Sequence, residues 1–257
     1  LACPTVDAII DSKLDSGEVT QMTYGKLMER LFTLRSLDVP FYPKLVPETK
    51  HKLDDIHLIL DPPVVVLGDA SYSMDVAIRT STIIASVLTL LVNADLKFFN
   101  DRVVSLPEMP TTIMDVLNVA STVKASGLTA SACSLQPYYE SKTPVKFFIV
   151  VSDEVENEKF NGEYFPQVFA KYYKEVYPAK IVFVSFLEDM RVKGRMVTSL
   201  ESMGFNVIQF RLDGRRPDLS KLDSLLGVLA TQGDQFFNVA LNMCSRLDCK
   251  DQSMAEL

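Results

Sequence analysis

The chain has 257 residues, 47% of them hydrophobic and 23% charged, with a formal net charge of −7. That is room for one large α/β domain with an accessory segment and a sizeable core, and the acidic balance argues against non-specific nucleic-acid binding. The longest apolar stretch, Ile83 to Val92, is broken by Ser86 and Thr89 and falls well short of a membrane span, and four cysteines in this length do not make a disulfide scaffold.

No basic-then-apolar leader opens the chain, and it does not begin with Met, as expected of a processed product or an excised fragment. Val6, Ile9, Ile10 and Leu14 have helical spacing, as do Leu27, Leu31 and Leu34 behind a Thr23 cap. Pro40, Pro43 and Pro47 make Val39 to Pro47 irregular. Residues 1–60 therefore read as a helical arm packed on a main domain. From Pro62 strands and helices alternate. Val64 to Leu67 is a buried parallel strand, Asp75 to Val92 a helix apolar nearly all round, and Leu96 to Phe99 with Arg102 to Leu106 a hairpin across "NDR". Ile113, Val116, Leu117 and Ala120 form a helical stripe. "VKFFIVV" (145–151), "KIVFVSF" (180–186) and "FNVIQF" (205–210) are further strands, separated by an aromatic helix face from Tyr164 to Tyr172 and a helix around Val192 to Met203. Leucine-rich helices near 221–230 and 234–246 close the chain. The pattern predicts a doubly wound, mostly parallel sheet with helices on both faces over 61–232, then a C-terminal helix and tail over 233–257.

Cys3 and Cys133 read as isolated thiols. Cys244 and Cys249 are close enough to pair but match no zinc spacing, and no Asn-x-Ser/Thr acceptor occurs. These features predict an intracellular, cytoplasmic protein.

In an open parallel sheet, ligands bind at the carboxyl ends of the strands. Three groups fall there. Asp69, Ser71 and Ser73 follow the first central strand, Thr129 precedes a predicted helix, and Ser152 and Asp153 follow "VKFFIVV". A lone Asp-x-Ser-x-Ser is an ordinary helix cap. Joined by Thr129 and Asp153 it becomes an all-oxygen set of two carboxylates and three hydroxyls, suited to magnesium or manganese. Two carboxylates leave such an ion incompletely neutralised, so a carboxylate from outside could complete its shell.

These stretches carry a resemblance. "DASYS", "GLTASACSL" and "IVVSDE" resemble the metal-ion-dependent adhesion site of von Willebrand factor A domains, over roughly residues 62–230. A shorter stretch, "TPVKFFIVVSDEVENEKF", resembles the A domain of Ro autoantigen proteins. The resemblance implies a Rossmann-like fold, one divalent ion on Asp69, Ser71, Ser73, Thr129 and Asp153, and a protein partner that presents an acidic residue to it. Two positions depart from the family pattern: Glu154 follows Asp153 where relatives carry Gly, and Leu128 precedes Thr129 where a second Gly is common.

Other features read more plainly. Glu154, Glu156 and Glu158 form a solvated acidic loop, whose charge should restrict a ligand to one carboxylate flanked by basic or apolar residues. Arg191, Lys193, Arg195, Arg211, Arg215 and Arg216 form a solvated face, and His51 and His57 lie on the surface or in packing. No Gly-rich phosphate loop appears, Ser71 stands where an aspartyl phosphotransferase needs its second Asp, and no His neighbours a Ser or Cys nucleophile. A non-enzymatic, metal-dependent interaction module is the expectation. The alternative is a scaffold or ribonucleoprotein component with a vestigial site.

Overall fold

The run "VVVLGD" forms β1 (Val64–Asp69), with all six residues buried. Such an unbroken apolar run marks a strand covered on both faces, and β4 (Phe147–Ser152) and β5 (Lys180–Leu187) share this character. In the computed structural model, which describes residues 4–17, 21–58 and 60–231, these three strands lie together within a six-stranded sheet. β2 (Asp95–Phe99), β3 (Val103–Val104) and β6 (Val207–Asp213) complete the order β3-β2-β1-β4-β5-β6. All neighbours are parallel except β2 and β3, an antiparallel hairpin pairing Phe99 with Val103. The doubly wound, mostly parallel sheet expected from the sequence is the observed one.

The two-residue period of a strand sorts its side chains onto opposite faces. Val64, Val66, Ile149 and Val151 share one core cluster with α4 (Ile78–Val92), α5 (Ile113–Thr122) and α9 (Leu222–Ala230). Val65, Leu67, Phe148 and Val150 share the other with α6 (Ala132–Glu140), α7 (Phe165–Glu175) and α8 (Arg195–Ser202). On this second face Phe148 meets Tyr138, Phe169 and Tyr172 edge-on, with centroids 5.8, 6.3 and 5.1 Å away, the favoured geometry for aromatic pairs. α4 is buried nearly all round. Three of its polar side chains are accommodated by backbone bonds, Ser81 and Thr82 donating to the Ile78 carbonyl and Thr89 to that of Ala85, whereas the buried Ser86 hydroxyl has no partner among the described residues.

Three helices precede the sheet: α1 (Pro4–Asp15), α2 (Tyr24–Ser36) and α3 (Val46–Asp54). Thr23 caps α2 by accepting from the Lys26 amide. Tyr24, Leu27, Met28 and Leu31 of α2 are buried in the same cluster as Val66 and α4. In α1, Leu14 packs against that cluster while Ile9 is half exposed. The expected irregular segment is only partly irregular. Tyr42–Leu45 winds as a 3-10 turn, and Pro47 sits in the first turn of α3, where a missing N–H costs nothing.

α2 closely touches the segment that leads into α9 at Gly25, whose amide donates to Asp223 and where a Cβ would overlap the Leu219 carbonyl. Gly25→Ala is therefore expected to cost about 1–3 kcal/mol, as over-packed sites do, measured by urea denaturation. An unchanged midpoint would show that the α2 contact yields freely.

Two boundaries differ from the sequence reading. The helix expected from Asp75 starts at Ile78, because Tyr72–Met74 is taken up by a 3-10 turn. The one expected around Val192 starts at Arg195, after extended Gly194. The predicted helix over 234–246, Cys3 and the Cys244–Cys249 pair fall outside the described residues. Among the described residues, no helix is long and apolar enough to cross a membrane.

Candidate metal site

The chain leaves β1 towards β2 and β3 on one side and resumes at β4 on the other, so β1 and β4 are neighbours across the point where the strand order reverses. This crevice is the usual ligand position in doubly wound sheets. Asp69 ends β1 and Asp153 follows β4, placing both carboxylates at this edge.

Asp69 is fully buried. One carboxylate oxygen accepts from the Ser71 amide at 2.9 Å and the other from the Ser152 hydroxyl at 2.6 Å. The Ser71 and Ser73 hydroxyls lie 3.2 Å apart. Thus Asp69 holds its own loop in the turn that brings the alternating serines together. Burial, followed by the neighbouring Asp153, pushes the Asp69 carboxyl up to about 7 against the hydrogen bonds from Ser152 and Ser71. Burial also raises Asp153, opposed by Ser73, the Val155 amide and Arg195.

Thr129 arrives from a third loop. The Ser126 amide donates to the Ala70 carbonyl and the Tyr72 amide to that of Gly127, tying this loop to the serine loop at 2.9 and 3.0 Å. Asn157 clamps Thr129 itself, accepting from its amide at 2.8 Å and donating back to its carbonyl. Thr129 is buried, whereas Leu128 beside it is 51% exposed. The structure therefore gathers the loops of all five predicted residues at one edge: Asp69, Ser71, Ser73 and Asp153 interact directly, and Thr129 is carried in by backbone bonds.

The donor set fits a hard divalent cation. It comprises two buried or half-buried carboxylates and three hydroxyls, and among the described residues neither carboxylate has an ion-pair partner. Among the described residues no group of three or more His, Cys, Asp or Glu is placed to hold a metal ion, so this set rests on two carboxylates supplemented by hydroxyls.

The acidic loop corrects the sequence reading. Glu158 is exposed, but Glu154 is 1% exposed and sits at φ +62°, a left-handed conformation more usual for glycine. Its carboxylate accepts from the Ser185 hydroxyl, the Val197 amide at 2.9 Å and the Gln209 amide group at 2.7 Å. One side chain thereby joins β5, α8 and β6 beside the site. Gly194 leaves the space this carboxylate occupies, since a Cβ there would overlap it. Glu156 accepts from the Ala132 amide at the start of α6 and the Phe165 amide at the start of α7, at 3.0 and 2.8 Å, capping both helices with negative charge. Burial pushes its carboxyl up to about 7.

Sequence reasoning missed these inward roles and Asn157, and it placed Ser152 at this edge without giving it a role. Ser152 donates to Asp69 while accepting from the Glu154 amide at 2.9 Å. The signal for Glu154 was its departure from Gly, but its partners are 31 to 55 residues away and come together only in the folded sheet. The basic face is also not continuous. Arg191 pairs with Asp189, Lys193 with Glu201 and Arg215 with Glu188, and Arg211 donates to the Met190 and Val192 carbonyls.

No protein-family model matches the chain, and no curated protein does. Its structure is similar to that of the Ro protein (RSR) of Deinococcus radiodurans, with 14% identity and a TM-score of 0.46, over 70% of this chain and 38% of that one. It is also similar to a von Willebrand factor type A protein from Catenulispora acidiphila, with 13% identity and a TM-score of 0.44, over 67% and 42% of the two chains. The chain thus spans less than half the length of either.

Proposed function

We propose that this protein is an intracellular, non-enzymatic interaction module in which Asp69, Ser71, Ser73, Thr129 and Asp153 hold one magnesium or manganese ion. The ion takes a carboxylate of a partner protein as a further ligand. The observation that carries this reading is the fully buried Asp69 next to Asp153, neither of them in an ion pair among the described residues and only Asp153 within the longer-range influence of Arg195, at a sheet edge lined by hydroxyls. Burying uncompensated charge costs several kcal/mol unless a counter-charge arrives, and a divalent ion on these oxygens supplies it. The hydroxyl ligands are neutral, so the ion keeps enough positive charge to attract an outside carboxylate.

Calorimetric titration of chelated protein with magnesium or manganese is expected to give one saturable site, lost in Asp69→Ala. Removing the ion, or replacing Thr129 by alanine, is expected to weaken partner binding at least tenfold, about 1.4 kcal/mol. Absence of saturable binding at millimolar metal would overturn the site. Equal partner affinity with and without chelator would leave a scaffold.

A further inference from the structure

A groove of about 610 Å³ opens directly beside this edge, lined by Ser73 and Asp153 at the site and by Gly214 and Arg215 beyond the end of β6. Its buried lining includes Met74, Ala77 and Phe186, and Val76 and Val192 also line it while remaining 66% and 55% exposed. Apolar surface that continues out of a groove is more than a small anion covers, and it fits the apolar side chain of an extended polypeptide.

The charges lining the groove are mostly spent on one another or on neighbours. Asp189 is held by Arg191, Lys193 by Glu201, and Glu188 and Arg215 pair. Arg195 is exposed and, among the described residues, has no hydrogen-bond or ion-pair partner, although it is close enough to influence the Asp153 carboxyl. Its place is set by the first turn of α8, which Glu154 anchors through the Val197 amide. The inward Glu154 and Glu156 leave Glu158 as the only exposed carboxylate of the three in this loop, which reduces the repulsion on which the expectation of a singly acidic ligand rested.

We propose that the groove receives an extended segment of a partner protein carrying two acidic side chains, one at the metal and one at Arg195, with an apolar residue between them on Val76 and Val192. This rests on the reading of the Asp69 group as a metal site. A guanidinium binds a carboxylate through paired charge-assisted hydrogen bonds, so an unpaired arginine beside an apolar groove selects acid at that position.

The test uses a random-peptide phage library selected on the full chain at saturating magnesium, in parallel with Arg195→Glu at its own saturating magnesium. Peptides released by chelator are expected to carry two acids flanking an apolar residue. Selection on Arg195→Glu should turn the second acid into Lys or Arg. A peptide chosen on the unaltered protein should lose at least tenfold in affinity for Arg195→Glu and recover when its second acid is replaced by Lys. Chelator-sensitive peptides with a single recurring acid and equal affinity for both proteins would overturn the inference and leave the metal reading standing. A selection yielding no chelator-sensitive peptide would overturn both.

Discussion

Glu154→Ala is expected to destabilise the protein by about 3 kcal/mol or more, the largest effect of any single substitution near the site. The change leaves two buried donors, the Ser185 hydroxyl and the Val197 amide, without their acceptor, while the half-buried Gln209 amide group keeps only the Ser185 hydroxyl. Each such donor costs roughly 1–3 kcal/mol, offset in part by no longer burying a charge. Glu154→Gln keeps one acceptor oxygen and should lose less. Glu154→Gly separates the two contributions. It relieves the φ of +62° yet loses every side-chain bond, so it should remain close to the alanine variant. Urea denaturation of the three variants decides the matter. A glycine variant as stable as the unaltered protein would show that the carboxylate contributes nothing and only the backbone conformation matters.

Stability in chelator is expected to fall by about 2 kcal/mol or more between pH 5 and pH 8. The sign follows from two buried carboxyls. Asp69 rises from an ordinary 3.8 to about 7 and Glu156 from 4.5 to about 7. Between those values the folded chain keeps protons that the unfolded chain has released, so raising pH favours unfolding until both groups ionise near 7. Asp189, held at about 2 by hydrogen bonds from Arg191, works in the opposite sense and only at lower pH. Magnesium should restore stability more at pH 8 than at pH 5, because only ionised Asp69 attracts it. Glu156→Gln and Asp69→Asn should each flatten part of the slope, and only Asp69→Asn should abolish the magnesium effect. A chelated protein equally stable at both pH values would contradict the account.

Features that rest on local pattern are legible in the residues alone. The apolar runs at 64–67, 147–151 and 181–184 read as strands covered on both faces, and their alternation with helical stripes implied a doubly wound parallel sheet. That architecture sends strand ends to one edge, so Asp69, Ser71, Ser73, Thr129 and Asp153 were legible as a group before any coordinate. How each polar group is used emerges only in the folded arrangement. The spacing of Glu154, Glu156 and Glu158 is that of a solvated loop. Whether a carboxylate turns inward depends on donors that lie far off in sequence, here Ser185, Val197 and Gln209 for Glu154 and the starts of two helices for Glu156. Arg195 looked like one of six similar cations. Pairing of its neighbours with Asp189, Glu188 and Glu201 leaves it as the one unpaired cation lining the groove among the described residues. Strand and helix periodicity is written in neighbouring residues, but the partner of a buried charge is fixed by packing across the whole sheet.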